Sequence, residues 1–438
     1  MMNKPIALKD NDRINTILSA VNLFYKKAGM VYLLLILLIA IVYPLGIRSS
    51  LSYWFMFAMI IVNGIPGVIN FYFQRKYRTF LETIGDNYIL INLGTITSVA
   101  TSILKIVMLQ MGVSILVVQT IYCCSSLVQM IYVYYYTKKK YPWIDFSVKP
   151  DHAALKQKNA ALIHQICGLV TGSTDVVVLS LFCDLRAVSI YTVYNMVFNI
   201  VCTSVQSVNS GLQYMLGQAF CRGKDYYKRI IDTYETFYIT LATCLMFVCY
   251  ICIVPFLKLY TAGADINYIG NLLPLLFMLV KVMDALRNAS LNTIYVSGNF
   301  NTTQKYAIVE TLINVVVSVL SVFKFGLSGA LCGTLVAYVY RTFVAVRYAN
   351  IIILKDSCKH SIRTFLINGV LLCLMCFVGK YIVFEASNYI LFFAKALVIT
   401  LISVLVFFGV NAFGDREAVK LIYPAVKNKI YTRIGKRQ

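Results

Sequence analysis

The sequence withholds most of what an enzyme or a soluble protein requires. Charged residues make up only 13% of the chain, and acids are the scarcer sign, with 18 Asp and Glu against 40 Lys and Arg. It contains no phosphate-cradling Gly-rich loop, no H-E-x-x-H and no G-x-S-x-G, so the usual signatures of nucleotide-driven or hydrolytic chemistry are missing. No polar stretch is long enough for a soluble domain, an ATPase domain included. The turns expected on the outer side are a few residues long. That leaves no room for the acidic and His residues a membrane glycosyltransferase or polymerase would carry. The start, Met1 to Arg13, is polar and lacks the pattern of a cleavable signal peptide. The expectation is a protein that is not an enzyme and needs no cofactor.

What the chain does have is apolar length. About twelve stretches of roughly twenty apolar residues, the number that crosses a bilayer core, are joined by short polar turns. They fall near 14–45, 51–73, 86–109, 112–137, 159–181, 187–217, 230–256, 268–295, 304–323, 327–350, 363–383 and 389–413. The fold class expected is an all-α polytopic membrane protein. The net charge of +22 raises the question of nucleic acid, but its placement answers it. With the N-terminus inside, most Lys and Arg fall in inner loops and tails, while the outer turns hold Arg48, Arg186, Lys258, Lys324 and Lys380. This positive-inside bias places both termini in the cytoplasm. The basic tail from Arg416 to Arg437 then meets anionic lipid headgroups, and no nucleic-acid partner is expected. The 13 cysteines sit mostly in apolar spans, where Cys is a small apolar filler. Neither Cys249-x-x-Cys252 nor Cys373-x-x-Cys376 has a nearby His or acid, so no metal site is expected there.

The polar interruption 138–158, with Pro142 and Pro150, divides the chain. Residues 1–137 form a bundle of four helices, 159–350 a bundle of six, and 351–438 an appended helix pair with a basic tail. Transporters are commonly built from two related bundles, so the first looks two helices short.

Several segments carry polar stripes at helical spacing. Asn195, Asn199, Thr203, Gln206, Ser210 and Gln213 mark one face of the sixth; His164, Gly168, Thr171 and Asp175 mark the fifth. Asn92 to Lys105, Asn15 to Lys26, and Glu310, Asn314, Ser318 and Ser321 repeat the pattern. Such groups can simply join helices to one another. Stripes on both sides of the linker are also explained by a single water-filled cavity, since an amide facing lipid is costly. Lys281, Asp284 and Arg287 follow at i, i+3 and i+6, so Asp284 can pair with either neighbour and one cation is left over. Lys105 and Arg341 have no acid nearby in sequence. Asp175 and Glu310 are available as their counter-ions, or to take up H+ or Na+. Lys26, Lys105, Lys281, Arg287 and Arg341, with Asn195, Asn199 and Gln206, are the candidate substrate-binding residues. Asp175, Asp284 and Glu310 are the candidate counter-ion or ion-coupling residues.

At the linker the chain resembles a known family. The run Lys140-Tyr-Pro-Trp-Ile-Asp-Phe146, then Lys149-Pro-Asp151 and Ala154 to Gln165, is similar to the cytoplasmic connector of polysaccharide (Wzx-type) flippases, and Thr174-Asp175 follows as in that family. Ser297-Gly-Asn-Phe-Asn-Thr-Thr-Gln304, Glu310, Asn314, Gly326, Gly329, Gly333 and Tyr340-Arg341 extend the resemblance over essentially the whole chain from Lys4. It implies a MATE-like fold of two six-helix lobes around a central cavity, sometimes with two further helices. It also implies alternating access driven by an ion gradient, and a substrate that is an undecaprenyl-pyrophosphate-linked oligosaccharide repeat unit for surface polysaccharide. Polysaccharide polymerase and glycosyltransferases would be partners. A peptidoglycan-precursor flippase and a MATE-like drug or cation antiporter are the alternatives. In the family the segment like Lys4 to Asn15 follows the second helix, so an N-lobe lacking its first two helices is expected.

Overall fold

The computed structural model describes residue 5 and residues 10–46, 52–151, 158–263, 265–381 and 386–415. Arg48, the linker residues 152–157, the segment Lys4 to Lys9 apart from Pro5, and the basic tail from Arg416 lie outside the described residues. Nearly all of the described chain is helical and none of it is strand. Eleven helices are long and apolar enough to cross a membrane among the described residues. Their lengths and composition make this a multi-pass membrane protein.

The chain divides into two compact units, Met1–Lys156 and Gln157–Gln438. In the first, α1 (Asn11–Gly46), α2 (Tyr53–Ile84), α3 (Asn87–Gln110) and α4 (Ile115–Lys140) are all spans. The core of this unit is confined to one end. Ile14, Leu18, Tyr77, Phe80, Leu81 and Val133 are buried there, closed over by Tyr141, Trp143 and Phe146 from the linker. The linker is thus less of a loop than its polarity suggests. Trp143 and Tyr141 meet Phe80 edge-on, and Phe146 meets Tyr77. Asn15 donates to the Trp143 carbonyl (3.1 Å), and Ser19 to that of Phe146 (3.1 Å), so two residues of the first stripe hold the linker.

The second unit contains α5 (Lys158–Phe182), α6 (Leu185–Cys221), α7 (Lys224–Tyr260), α8 (Leu273–Leu286 with Asn288–Val296), α9 (Phe300–Phe325), α10 (Leu327–Leu354), α11 (Lys359–Gly379) and α12 (Tyr389–Gly414). Its centre is α7, whose most apolar stretch is 61% buried, against 11% for α3. The final pair shares this core: Leu371, Leu372 and Phe407 pack with Phe247 and Phe277. Asn368 of α11 and Asn411 of α12 exchange side-chain hydrogen bonds (3.0 and 3.1 Å), and Thr243 of α7 donates to Asn368 (3.1 Å).

Two departures from regular helix matter. First, α8 is broken at Arg287 into Leu273–Leu286 and Asn288–Val296. No Pro or Gly sits at the break. The interruption is a single residue with near-helical torsions, and the Asn288 side chain donates to the Asp284 carbonyl there (3.2 Å). Each half is too short to span alone, which is why a segment expected as one crossing is not among the eleven. Second, α9 and α10 are in backbone contact. A Cβ at Gly333 would lie 2.1 Å from Ser318 Oγ, and one at Gly329 would lie 2.3 Å from the Ser321 carbonyl oxygen. Small residues at four-residue spacing allow this approach.

Candidate functional site

The break in α8 opens onto a cavity of about 100 Å3 inside the second unit. His164 and Thr171 reach it from α5, Arg287 from the break, Glu310 from α9, and Tyr338 and Arg341 from α10. Arg287 is its centre. Its Nε and Nη2 donate to Asp284 Oδ1 at 3.1 and 2.5 Å, Nη1 donates to Glu310 Oε1, and the guanidinium lies 4.0 Å from the centre of the Tyr338 ring. Glu310 is shared, because its other oxygen lies 3.5 Å from Arg341 Nε. Arg341 is 3% exposed, so its charge depends on that carboxylate. The glycine contact between α9 and α10 sets the spacing of Glu310 and Arg341. His164 is held at the cavity by Thr303 (3.3 Å) and the Phe300 carbonyl (3.3 Å).

Four of the sequence-predicted residues therefore meet here: Arg287, Arg341, Asp284 and Glu310. Asp284 resolves its choice of partner in favour of Arg287. Lys281 is left to neutral groups, donating to Asn195 Oδ1 (3.2 Å) and Asn199 Oδ1 (2.8 Å) of α6. Gln206, further along α6, is exposed. Asp175 lies in a separate buried cluster. It accepts from Thr334 (2.7 Å) and Tyr191 (3.0 Å), and Asn314 donates to Thr334 (2.8 Å). The Asn314 carbonyl oxygen is buried without a hydrogen-bond partner.

In the first unit the candidate cations are also held by neutral partners. Lys105 donates to Gln119 Oε1 (2.9 Å), which in turn donates to Asn63 (3.1 Å). Lys26 lies 5.9 Å from the centre of the Tyr72 ring. Sequence reasoning missed Tyr338, Tyr295, Thr334 and the Gln74–Arg78–Gln129 chain, in which Arg78 donates to both glutamines (3.0 and 2.8 Å). Tyr338 was legible in one respect, since it precedes Arg341 by three residues and so shares its helix face.

No family model matches the chain, and no curated protein sequence matches it. Among solved structures, the chain is similar to lipid II flippase MurJ in an inward closed conformation, with a TM-score of 0.61 and 13% identity over 91% of this chain and 84% of that one. It is also similar to the Vibrio cholerae MATE transporter VcmN in its bent form, with a TM-score of 0.55 and 13% identity over 83% of this chain and 84% of that one. At this identity the likeness establishes a shared fold.

Proposed function

We propose that this chain is a flippase that moves an undecaprenyl-pyrophosphate-linked oligosaccharide repeat unit from the inner to the outer leaflet by alternating access, for surface polysaccharide. The observation that carries the reading is Arg287 at the break of α8, sharing Glu310 with Arg341 beside a polar cavity. Discontinuous helices commonly build substrate sites in transporters, and ionisable groups are kept at membrane depth for function. Guanidinium groups bind phosphate through paired donors.

A carboxylate shared by two guanidiniums works as a release. An anion that competes for the two guanidiniums takes the place of Glu310 between them, and the carboxylates it frees are one place for a coupling ion. The Asp175, Asn314 and Thr334 oxygens offer a second place for a coupling cation such as Na+. Lys281, held by Asn195 and Asn199, adds a cation for the diphosphate, and Asn195, Asn199 and Gln206 suit sugar hydroxyls. In the first unit, Lys26 and Lys105 are cations suited to the same class of substrate. The orientation that follows has both termini in the cytoplasm of a bacterial inner membrane, with the polymerase and glycosyltransferases of the pathway as partners.

The second reading is a peptidoglycan-precursor flippase, favoured by the likeness to a lipid II flippase. Its pyrophosphate chemistry is the same, and the sugar differs. Complementation separates them: strains depleted of a repeat-unit flippase or of a lipid II flippase each receive this chain. Restored surface glycan in the first strain supports the repeat-unit reading, and growth of the second alone supports lipid II. Rescue that survives Arg287→Gln and Arg341→Gln together removes the anion site from both.

A further inference from the structure

Beside Ala289, Ser290 and Thr293 of the second half of α8, α7 carries a group the transport reading does not use. Asp232 and Glu235 stand three residues apart on one face of α7, and His360 enters from the first turn of α11. A carboxylate oxygen of each acid and a ring nitrogen of His360 lie within 4.8 Å of one another. Glu235 is 3% exposed and its Oε2 accepts from Ser361 (2.8 Å), while Oε1 is buried without a hydrogen-bond partner. Both acids, Asn350 and Ser361 line a cavity of about 10 Å3, which one water or one small cation fills.

Charge points the same way. In a chain with 40 basic and 18 acidic residues, four acids gather here. Besides Asp232 and Glu235, Asp415 lies 3.9 Å from His360, and Asp356 lies 3.5 Å from Lys228. Lys228 opposes them, holding Asp232 by Oδ1 (2.9 Å), and Arg363 donates to the neighbouring Gly414 carbonyl. The acids still outnumber these two cations. A buried carboxylate oxygen with no donor carries a large desolvation cost unless a cation or proton meets it.

We propose that Asp232, Glu235 and His360 form a binding site for one divalent transition-metal ion, of the Zn2+ or Mn2+ class. Two carboxylates and one imidazole suit such ions better than Mg2+ or Ca2+, which favour all-oxygen sets. The remaining positions are open to water, the Ser361 hydroxyl or the Asn350 amide oxygen. The Thr236 hydroxyl donates to Asp415 (2.8 Å) and lies 3.3 Å from His360 Nε2, which also meets the Asp232 carbonyl (3.2 Å), and these contacts orient the imidazole. The ion joins α7 to α11 and, through Asp415, to the residue that follows α12. Its role is to fix the last two helices against the centre of the unit.

The test uses the purified full-length protein in detergent, stripped with EDTA and titrated with ZnCl2 or MnCl2. The expected result is about one equivalent of metal bound, and a thermal midpoint raised by about 2 °C or more. In Glu235→Gln and His360→Gln the affinity should fall at least about tenfold and the thermal shift should vanish. Should either variant fail to fold, X-ray absorption of the Zn2+-loaded wild type decides the matter, since an imidazole in the first shell is required. No bound metal, equal binding in folded variants, or a first shell without imidazole overturns the proposal. None of these readouts depends on transport.

Discussion

The two units hold arginines by different chemistry, while one lysine in each, Lys105 and Lys281, is held by neutral side chains. In the first, the ammonium of Lys105 and the guanidinium of Arg78 are held by neutral side chains, Gln119 in one case and Gln74 with Gln129 in the other. The ion pairs described there are Arg75–Glu82, one turn from Arg78 on α2, and Lys140–Asp86, at the end of α4. In the second unit, Arg287 and Arg341 are held by carboxylates inside the bundle. A carboxylate balances a cation's charge and an amide does not, so the second arrangement is a buried network that loses its balance when one charge is removed. The burial differs in the same sense. The first unit is closed at one end by Phe80, Leu81 and the linker aromatics, whereas the second is packed along the whole of α7. A charged cluster needs such a rigid frame to hold its geometry.

The largest expected effect that tests this contrast is Arg287→Gln. It should lower transport by about a hundredfold or more, a loss of about 3 kcal/mol, because a charge at the centre of a buried network is removed. Lys105→Gln should cost far less. Proteoliposome transport measures both. A loss in Lys105→Gln as large as that in Arg287→Gln would reverse the comparison.

The frame comes next. Gly333→Val places side-chain atoms inside Ser318 and should destabilise the second unit by about 1–3 kcal/mol, read as a lower thermal midpoint. Gly94→Ala on α3, where a Cβ meets nothing within 4 Å, should be nearly silent. Asn368→Leu should cost about 1–2 kcal/mol, since it leaves Thr243 and Asn411 without their partner.

The number and rough placement of the helices were legible because apolar runs of bilayer length admit few other readings. Arg287, Arg341, Asp284 and Glu310 were legible as exceptions within those runs. Their pairing was legible in part: Asp284 could meet either neighbour, and Glu310 was one of two acids offered to Arg341. That Arg287 also holds Glu310 depends on the contact of α9 with the rest of the unit and on an interruption that no Pro or Gly announces. The linker misled for a related reason. Its lysines and prolines read as a loop, yet Tyr141, Trp143 and Phe146 close the core of the first unit. Gln74, Arg78 and Gln129 escaped notice because α2 continues to Ile84 through a π-helical turn at Asn70–Gln74, well past the expected end.

A smaller effect concerns the first unit and acid. Burial opposes the charge of Asp86, but hydrogen bonds from Lys140, Tyr141 and Tyr136 outweigh it and hold the carboxyl below the usual range. A lowered carboxyl pKa contributes stability that is present above its unfolded value and is lost as pH falls through the folded value. Acid unfolding should therefore show a component below the ordinary carboxylate range that Asp86→Asn removes.

The central claim is that the cavity at the α8 break binds a lipid-linked diphosphate through its arginines. Native mass spectrometry of the purified protein with a polyprenyl pyrophosphate, and with the matching polyprenol, measures this directly. The account predicts tighter binding of the pyrophosphate, lost by at least about tenfold in Arg287→Lys, where the charge stays and the paired donors go. Equal binding of pyrophosphate and polyprenol, or full affinity in a folded Arg287→Gln, Arg341→Gln double variant, would contradict it.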